Sequence, residues 1–295
     1  MSRFMYSMLC DVGITLIGVV SIYMMTGLTG LFSIGQAAFM GVGAYVSGLL
    51  GKNLGWCMFS SALVGVGVAG VMSLLIAIPT TKLRRDYCGI ASIGFSNAII
   101  ALLTNLTAVT GGADGLSRIP KRTTLELVWI SVAVIIMLVY SFKRSRYGRQ
   151  CMAIKTDELA AKAMGINASR MKILVFVIGS CIAAYAGVLY GYFCTYVSPK
   201  DFGTNITIQW MIMVFFGGVG SLTGSVLACV VLYTLTQLLR TAASFRIILY
   251  SIIVLIIINY RPQGLLGTYE FSLTGTIRKC RELAGRIGLS KAGKG

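Results

Sequence analysis

Histidine is absent from the chain, acidic residues number nine against 26 Lys and Arg, and there are only four prolines. Without histidine there is no H-E-x-x-H zinc helix and no imidazole base. The eight cysteines (Cys10, Cys57, Cys88, Cys151, Cys181, Cys194, Cys229 and Cys280) are scattered, with no C-x-x-C pair to build a metal or redox site, and they read as small buried apolar residues. No G-x-x-x-x-G-K-[ST] phosphate loop occurs either. The shortage of acid leaves no apolar helix face with paired carboxylates, so an intramembrane hydrolase lacks its working parts. It also counts against a proton- or sodium-coupled carrier, which works through ionisable groups inside the membrane. Asp11 is the one acidic residue near an apolar run, and it is placed at the end of that run.

What is present in quantity is hydrocarbon and glycine. Hydrophobic residues make up 56% of the chain, charged residues 12%, glycines number 35, and the mean hydropathy is +0.82. Soluble domains stay near 45–50% apolar, so this composition implies a polytopic membrane protein. The fold class expected is all-α: a transmembrane helix bundle of about 8–10 spans, because only helices satisfy their own backbone within lipid. Apolar runs place spans at residues 8–25, 31–50, 56–78, 89–109, 125–142, 173–192, 206–216, 225–239 and 245–260. The seventh is short and runs into GGVGSLTGS at residues 217–225, the pattern of a broken or re-entrant helix. No cleavable signal peptide is evident at the amino terminus.

In a soluble domain the formal charge of +17 would suggest nucleic acid, but in a membrane protein basic loops are the ordinary topology signal. No nucleic-acid partner is expected. Taking the polar loop at residues 143–172 as cytoplasmic puts 18 of the 26 Lys and Arg inside, with the amino terminus outside and the carboxyl terminus inside. The organisation expected is a transmembrane domain over residues 1–267 and a basic cytoplasmic tail over 268–295.

That polar loop, YGRQCMAIKTDELAAKAMGINASRMK, contains a helix expected at residues 157–164. Thr156 is its predicted N-cap, Asp157 and Glu158 complement the dipole of the first turn, and Gly165 offers a left-handed stop. Leu159, Ala160, Ala163 and Met164 share one small apolar face, while Lys155, Lys162, Arg170 and Lys172 keep the surroundings wet and basic. So short a helix is unstable alone. It needs either a partner protein surface or the bilayer surface.

The same stretch resembles the cytoplasmic EAA-type coupling loop of branched-chain amino acid ABC-importer permeases, with Glu158, Ala160, Ala161 and Gly165 on the motif and Ala163 and Met164 completing the coupling helix. Other segments agree in order: GLTGLFSIGQAAFMGVGAYVSGLL (27–50) with that family's first glycine-rich helix, TGGADGL (110–116) with its external loop, GGVGSLTGSVL (217–227) with its late glycine motif, and RPQGLLG (261–267) with its terminal signature. The TGGADGL element is similar to the subunit that pairs with a second, different permease; the amino terminus is short for that subunit. The resemblance implies a non-catalytic membrane subunit in a bacterial inner membrane, importing branched-chain or other hydrophobic amino acids. It implies as partners a second homologous permease subunit, two cytoplasmic ATP-binding subunits that hold the ATP, an extracytoplasmic substrate-binding protein and membrane lipid. No cofactor is expected on the chain itself. Urea or short amides are the alternative cargo, since close relatives carry them, and a self-contained secondary carrier is the alternative mechanism.

Within these motifs the residues admit plainer readings. Gly35, Gly41, Gly43, Ala44 and Gly48 suit close helix packing as well as a translocation path. Gln36, an amide within an apolar run, must find a partner or a wet cavity, so it leads Gly35 and Gly41 as the pathway candidate. In the external loop Gly111, Gly112, Asp114 and Gly115 suit a simple reversal of the chain or a docking element for a loaded binding protein. Pro262 stops the last span and Arg261 anchors it at the interface.

Overall fold

The computed structural model describes residues 3–81, 85–238 and Leu255. Helix α1, Arg3–Ile22, continues through a π turn at Tyr23–Gly27; α2 is Gln36–Asn53, α3 Met58–Thr80 and α4 Arg85–Asn105. A short α5 at Thr107–Thr110 leads through a 3-10 turn, Gly112–Asp114, to strand β1, Leu116–Ser117. Then come α6 (Leu125–Arg144), α7 (Arg146–Thr156), α8 (Glu158–Ala163) and the long α9 (Ala168–Cys194). Strand β2 (Tyr196–Val197), a 3-10 turn at Pro199–Phe202, α10 (Thr204–Gly217) and α11 (Leu222–Leu238) complete the described chain.

The expected helical membrane architecture is what the chain forms. Five of these helices are long and apolar enough to cross a membrane by length and composition, and the chain is a multi-pass membrane protein. Apolar faces of α6 (Ile130, Val134, Met137, Leu138) and α3 (Leu63, Val71, Leu74, Leu75) stand exposed, as hydrocarbon requires of outward surfaces. The first eight predicted spans each correspond to a helix, but their ends move. The second begins at Gln36 rather than residue 31, because 30–35 is unwound. The ninth, the terminal RPQGLLG signature with Arg261 and Pro262, and the 267/268 boundary lie outside the described residues.

The middle of the bundle is α1 and α9, with α2 laid against α9 at backbone distance. A Cβ on Gly43 would meet the Ala184 carbonyl, and one on Gly187 would meet the Met40 carbonyl. Small residues thus let these two helices touch, as membrane helices do where no water drives them together. Gly41 faces the Phe202 ring in the same seam.

Hydrogen bonds sort the loops onto two ends. At one end the Leu125 amide donates to Tyr6 Oη (3.0 Å), so α1 and α6 start together. The β1–β2 ladder lies there too, pairing Leu116 with Val197 and Ser117 with Tyr196. At the other end Gly27, α7, α8 and the α10–α11 turn meet. This partition agrees with placing the 143–172 loop on one side and TGGADGL on the other.

Two expectations need correction. Cys57 is exposed, and Cys181 and Cys194 are half-buried, rather than buried. Asp11 does not cap the first run but sits within α1, on the wall of a cleft of about 220 Å³ shared with Thr15, Tyr190, Asp201, Gln209 and Trp210. Sequence alone placed it at an end because the run was counted from residue 8, whereas the helix starts at Arg3.

Candidate functional site

The polar loop folds as a platform of two short helices. Its bend is set at Gly148, where any Cβ would overlap the Phe142 and Lys143 carbonyls, and Ser145 caps α7 by accepting from the Gly148 amide. The N-cap of α8 is Asp157, not Thr156: its Oδ1 accepts from the amides of Leu159 (2.8 Å) and Ala160 (3.1 Å). Thr156 instead ends α7. A carboxylate is the stronger acceptor and also complements the helix dipole, so it takes the cap.

The far end of α8 is a Schellman stop. Gly165 has φ +81°, its amide donates to Lys162 O (3.0 Å), and the Ile166 amide donates to Ala161 O (3.1 Å). The accompanying apolar contact is there as well: Ala161 is buried with Ile154 and Ala168, and Ile166 packs on them. Ala161 therefore belongs to the inner face of α8. The outer face is Leu159, Ala160, Ala163 and Met164, with Leu159 78% and Met164 83% exposed. This is the apolar face expected from spacing, and in this chain nothing among the described residues covers it.

Glu158 is held within the chain. Its carboxylate pairs with Lys172 (2.6 Å) and Lys162 (2.9 Å), joining the start of α8 to the first turns of α9. Burial opposes ionisation of Glu158, but the hydrogen bonds from Lys172 and Lys162 outweigh it and hold the carboxyl below its ordinary pKa. Lys172 is only 5% exposed, so the expectation that it lies in a wet surround is corrected. Desolvated, it needs its one counter-charge.

Two further lysines, which sequence reasoning did not assign, attach the platform to the bundle. Lys155 Nζ donates to the carbonyls of Gly27 (2.8 Å), where the π turn ends, and Val219 (3.4 Å). Lys143 Nζ donates to Gly220 O (2.8 Å) and Tyr23 Oη (2.8 Å). The late glycine motif thus makes a tight turn, with Gly217 and Gly224 in backbone contact, whose carbonyls face two ammonium groups. The available signal was lysines at a span boundary in a chain with few acids, which must find carbonyl oxygens instead.

At the opposite end the TGGADGL glycines are required by conformation: Gly111, Gly112 and Gly115 have φ of +78°, +63° and +74°. Asp114 is exposed, and its backbone carbonyl accepts from Tyr196 Oη (3.0 Å). The neighbouring cations are turned elsewhere, Arg122 to Trp56 O and Lys121 to the Phe193 ring. Gln36 is fully buried with its amide nitrogen on Met25 Sδ and its Oε1 unpartnered. Gly35 caps α2 against α4, where a Cβ would meet Ser92 O. Helix α8, the TGGADGL loop and Gln36 thus lie in three separate places.

A family model described as "Branched-chain amino acid transport system / permease component" matches residues 4–259. The chain belongs to this family. It is 28% identical over 274 residues to the high-affinity branched-chain amino acid transport system permease protein LivM of Escherichia coli, covering 81% of this chain and 64% of that one. The LivM of Salmonella typhimurium gives the same figures. Against the E. coli permease protein LivH it is 25% identical, covering 84% of this chain and 89% of the relative. The chain therefore spans less than two thirds of the length of these two LivM proteins. Membership in the family makes the EAA-like platform and the TGGADGL loop parts of an ABC-transporter permease.

Proposed function

We propose that this chain is the membrane-spanning, non-catalytic subunit of an ATP-driven importer of branched-chain amino acids in a bacterial inner membrane. ATP is bound and hydrolysed by two separate cytoplasmic subunits, one of which seats on α8. A second homologous permease subunit and an extracytoplasmic binding protein complete the assembly, the latter delivering substrate at the TGGADGL end. The observation that carries this reading is the outer face of α8, an apolar surface on a helix too short to stand alone, held outward by two caps and a half-buried ion pair. A concave cleft on a partner protein resolves that exposure by covering Leu159 and Met164. Leu159→Asp with Met164→Asp leaves the inner face of α8 intact, so the chain remains inserted and folded. In the complex reconstituted with its ATPase subunits, the double variant loses ATPase co-purification and labelled leucine uptake. Retention of both at the wild-type level would refute the docking role. Uptake of labelled urea but not leucine by the wild-type complex would reassign the cargo.

A further inference from the structure

Among the described residues, four buried polar side-chain atoms have no hydrogen-bond partner: Ser33 Oγ, Gln36 Oε1, Ser96 Oγ and Ser180 Oγ. Two of them, Ser33 and Ser96, each 1% exposed, line the same pocket between the unwound segment and α4. Its remaining wall is Gly35, Ser92 and a set of apolar side chains that includes Phe39, Phe95 and Phe176. The pocket is partly open at Phe95 but too tight for a water-sized sphere. Each orphan hydroxyl costs roughly 1–3 kcal/mol.

We infer that this pocket is the intramembrane contact site for the amino acid in transit. The inference rests on the importer reading above. Three features select the ligand. No charged side chain lines the pocket, so a net-neutral molecule suits it. The unpartnered hydroxyls of Ser33 and Ser96 both donate and accept, which serves the carboxylate and the ammonium of a zwitterion alike. Carboxylate placement is favoured at the start of α2, whose N-cap Gly35 lines the pocket and supplies no side-chain acceptor of its own. The three phenylalanines then face the apolar side chain. Depth is appropriate too: Ser92, Ser96 and Phe176 lie seven to eleven residues from the starts of α4 and α9, about 10–17 Å inside the coupling end at 1.5 Å per residue.

The unwound backbone can move without losing helix bonds, and it is held by contacts that can be exchanged. Gly30 turns at φ +69°, Thr26 Oγ1 donates to Leu31 O (3.2 Å), and the Ile34 amide donates to Ser92 Oγ (2.9 Å). The π turn feeding this segment ends at Gly27, whose carbonyl Lys155 grips from the platform. Displacement of the platform therefore reaches the pocket through one lysine and one turn.

The test uses the full complex in vesicles, with uptake of labelled leucine as the probe, and the variants Ser96→Ala, Ser33→Ala and their double. Each single change raises the KM for leucine about tenfold, as loss of a hydrogen bond to a charged group does. Because an unpartnered hydroxyl is removed, Tm stays level or rises, and ATPase co-purification is unchanged. Phe95→Ala, on the exposed edge of the pocket, narrows the preference for leucine over alanine. Wild-type KM values in the double variant, or a fall in Tm that tracks the loss of uptake, would overturn the assignment. Absence of leucine uptake in the wild-type complex itself would remove the importer reading and this one with it; wild-type uptake with unaltered variants removes the pocket alone.

Discussion

Replacing Gly165 isolates a purely conformational cost. Its φ of +81° belongs to the left-handed region, yet no atom lies within 4 Å of where a Cβ would stand. A side chain there meets no steric neighbour and pays only the backbone penalty, about 1–2 kcal/mol for an L-residue. Two hydrogen bonds depend on that turn, from the amides of Gly165 and Ile166 to Lys162 and Ala161. Shifting the platform equilibrium by that energy lowers the equilibrium constant for the docking-competent α8 roughly 5- to 30-fold. The apparent affinity for the ATPase subunit falls by at most that factor for Gly165→Ala, and further for the β-branched Gly165→Val. Gly165→Asn stays close to wild type, since asparagine visits this conformation readily. Titration of the purified ATPase onto nanodisc-embedded permease reads the affinities directly. Equal loss in the asparagine and valine variants, or no loss in either, would show that the left-handed turn is not what positions α8.

Three more outcomes are expected. Lys155→Met strips the Gly27 and Val219 carbonyls of their shared donor; it leaves the ATPase bound and lowers leucine uptake per ATP hydrolysed, which a coupled assay measures. The pKa of Glu158 is depressed in the folded chain, so its ion pairs contribute in full above the ordinary glutamate pKa of about 4.3 and are lost as pH falls through the lower folded value. Protection factors of the α8 amides, which take out the intrinsic slowing of exchange in acid, therefore fall on acidification below that point, and Glu158→Gln, poorly protected already at neutral pH, lacks that step. Asp114→Ala removes an exposed side chain and leaves Tm unchanged, while stimulation of ATP hydrolysis by the loaded binding protein weakens; unaltered stimulation would assign the loop to chain reversal alone.

Apolar periodicity and length made the helices legible, because in lipid the backbone has no other way to satisfy itself. The loop helix was legible for the same kind of local reason. An acid at its start, four apolar residues at helical spacing and a terminal glycine are all near neighbours, and the structure moved only the cap, from Thr156 to Asp157. Composition also excluded histidine chemistry and a phosphate loop without any structure. Tertiary structure decided everything that depends on which distant groups meet. The resemblance put Ala160 and Ala161 together in one motif, but packing turned Ala161 inward onto Ile154 and Ala168 and left Ala160 outside. Lys143 and Lys155 looked like topology charges until the Gly217–Gly224 turn supplied carbonyls for them from more than 60 residues away. Ser33 and Ser96 sit in separate apolar runs and share a pocket only because residues 30–35 unwind beside α4. Periodicity reports how a segment meets its own neighbours in the chain. It carries no information on the partner a buried donor finds across the bundle, and the coupling and the pocket both depend on those partners.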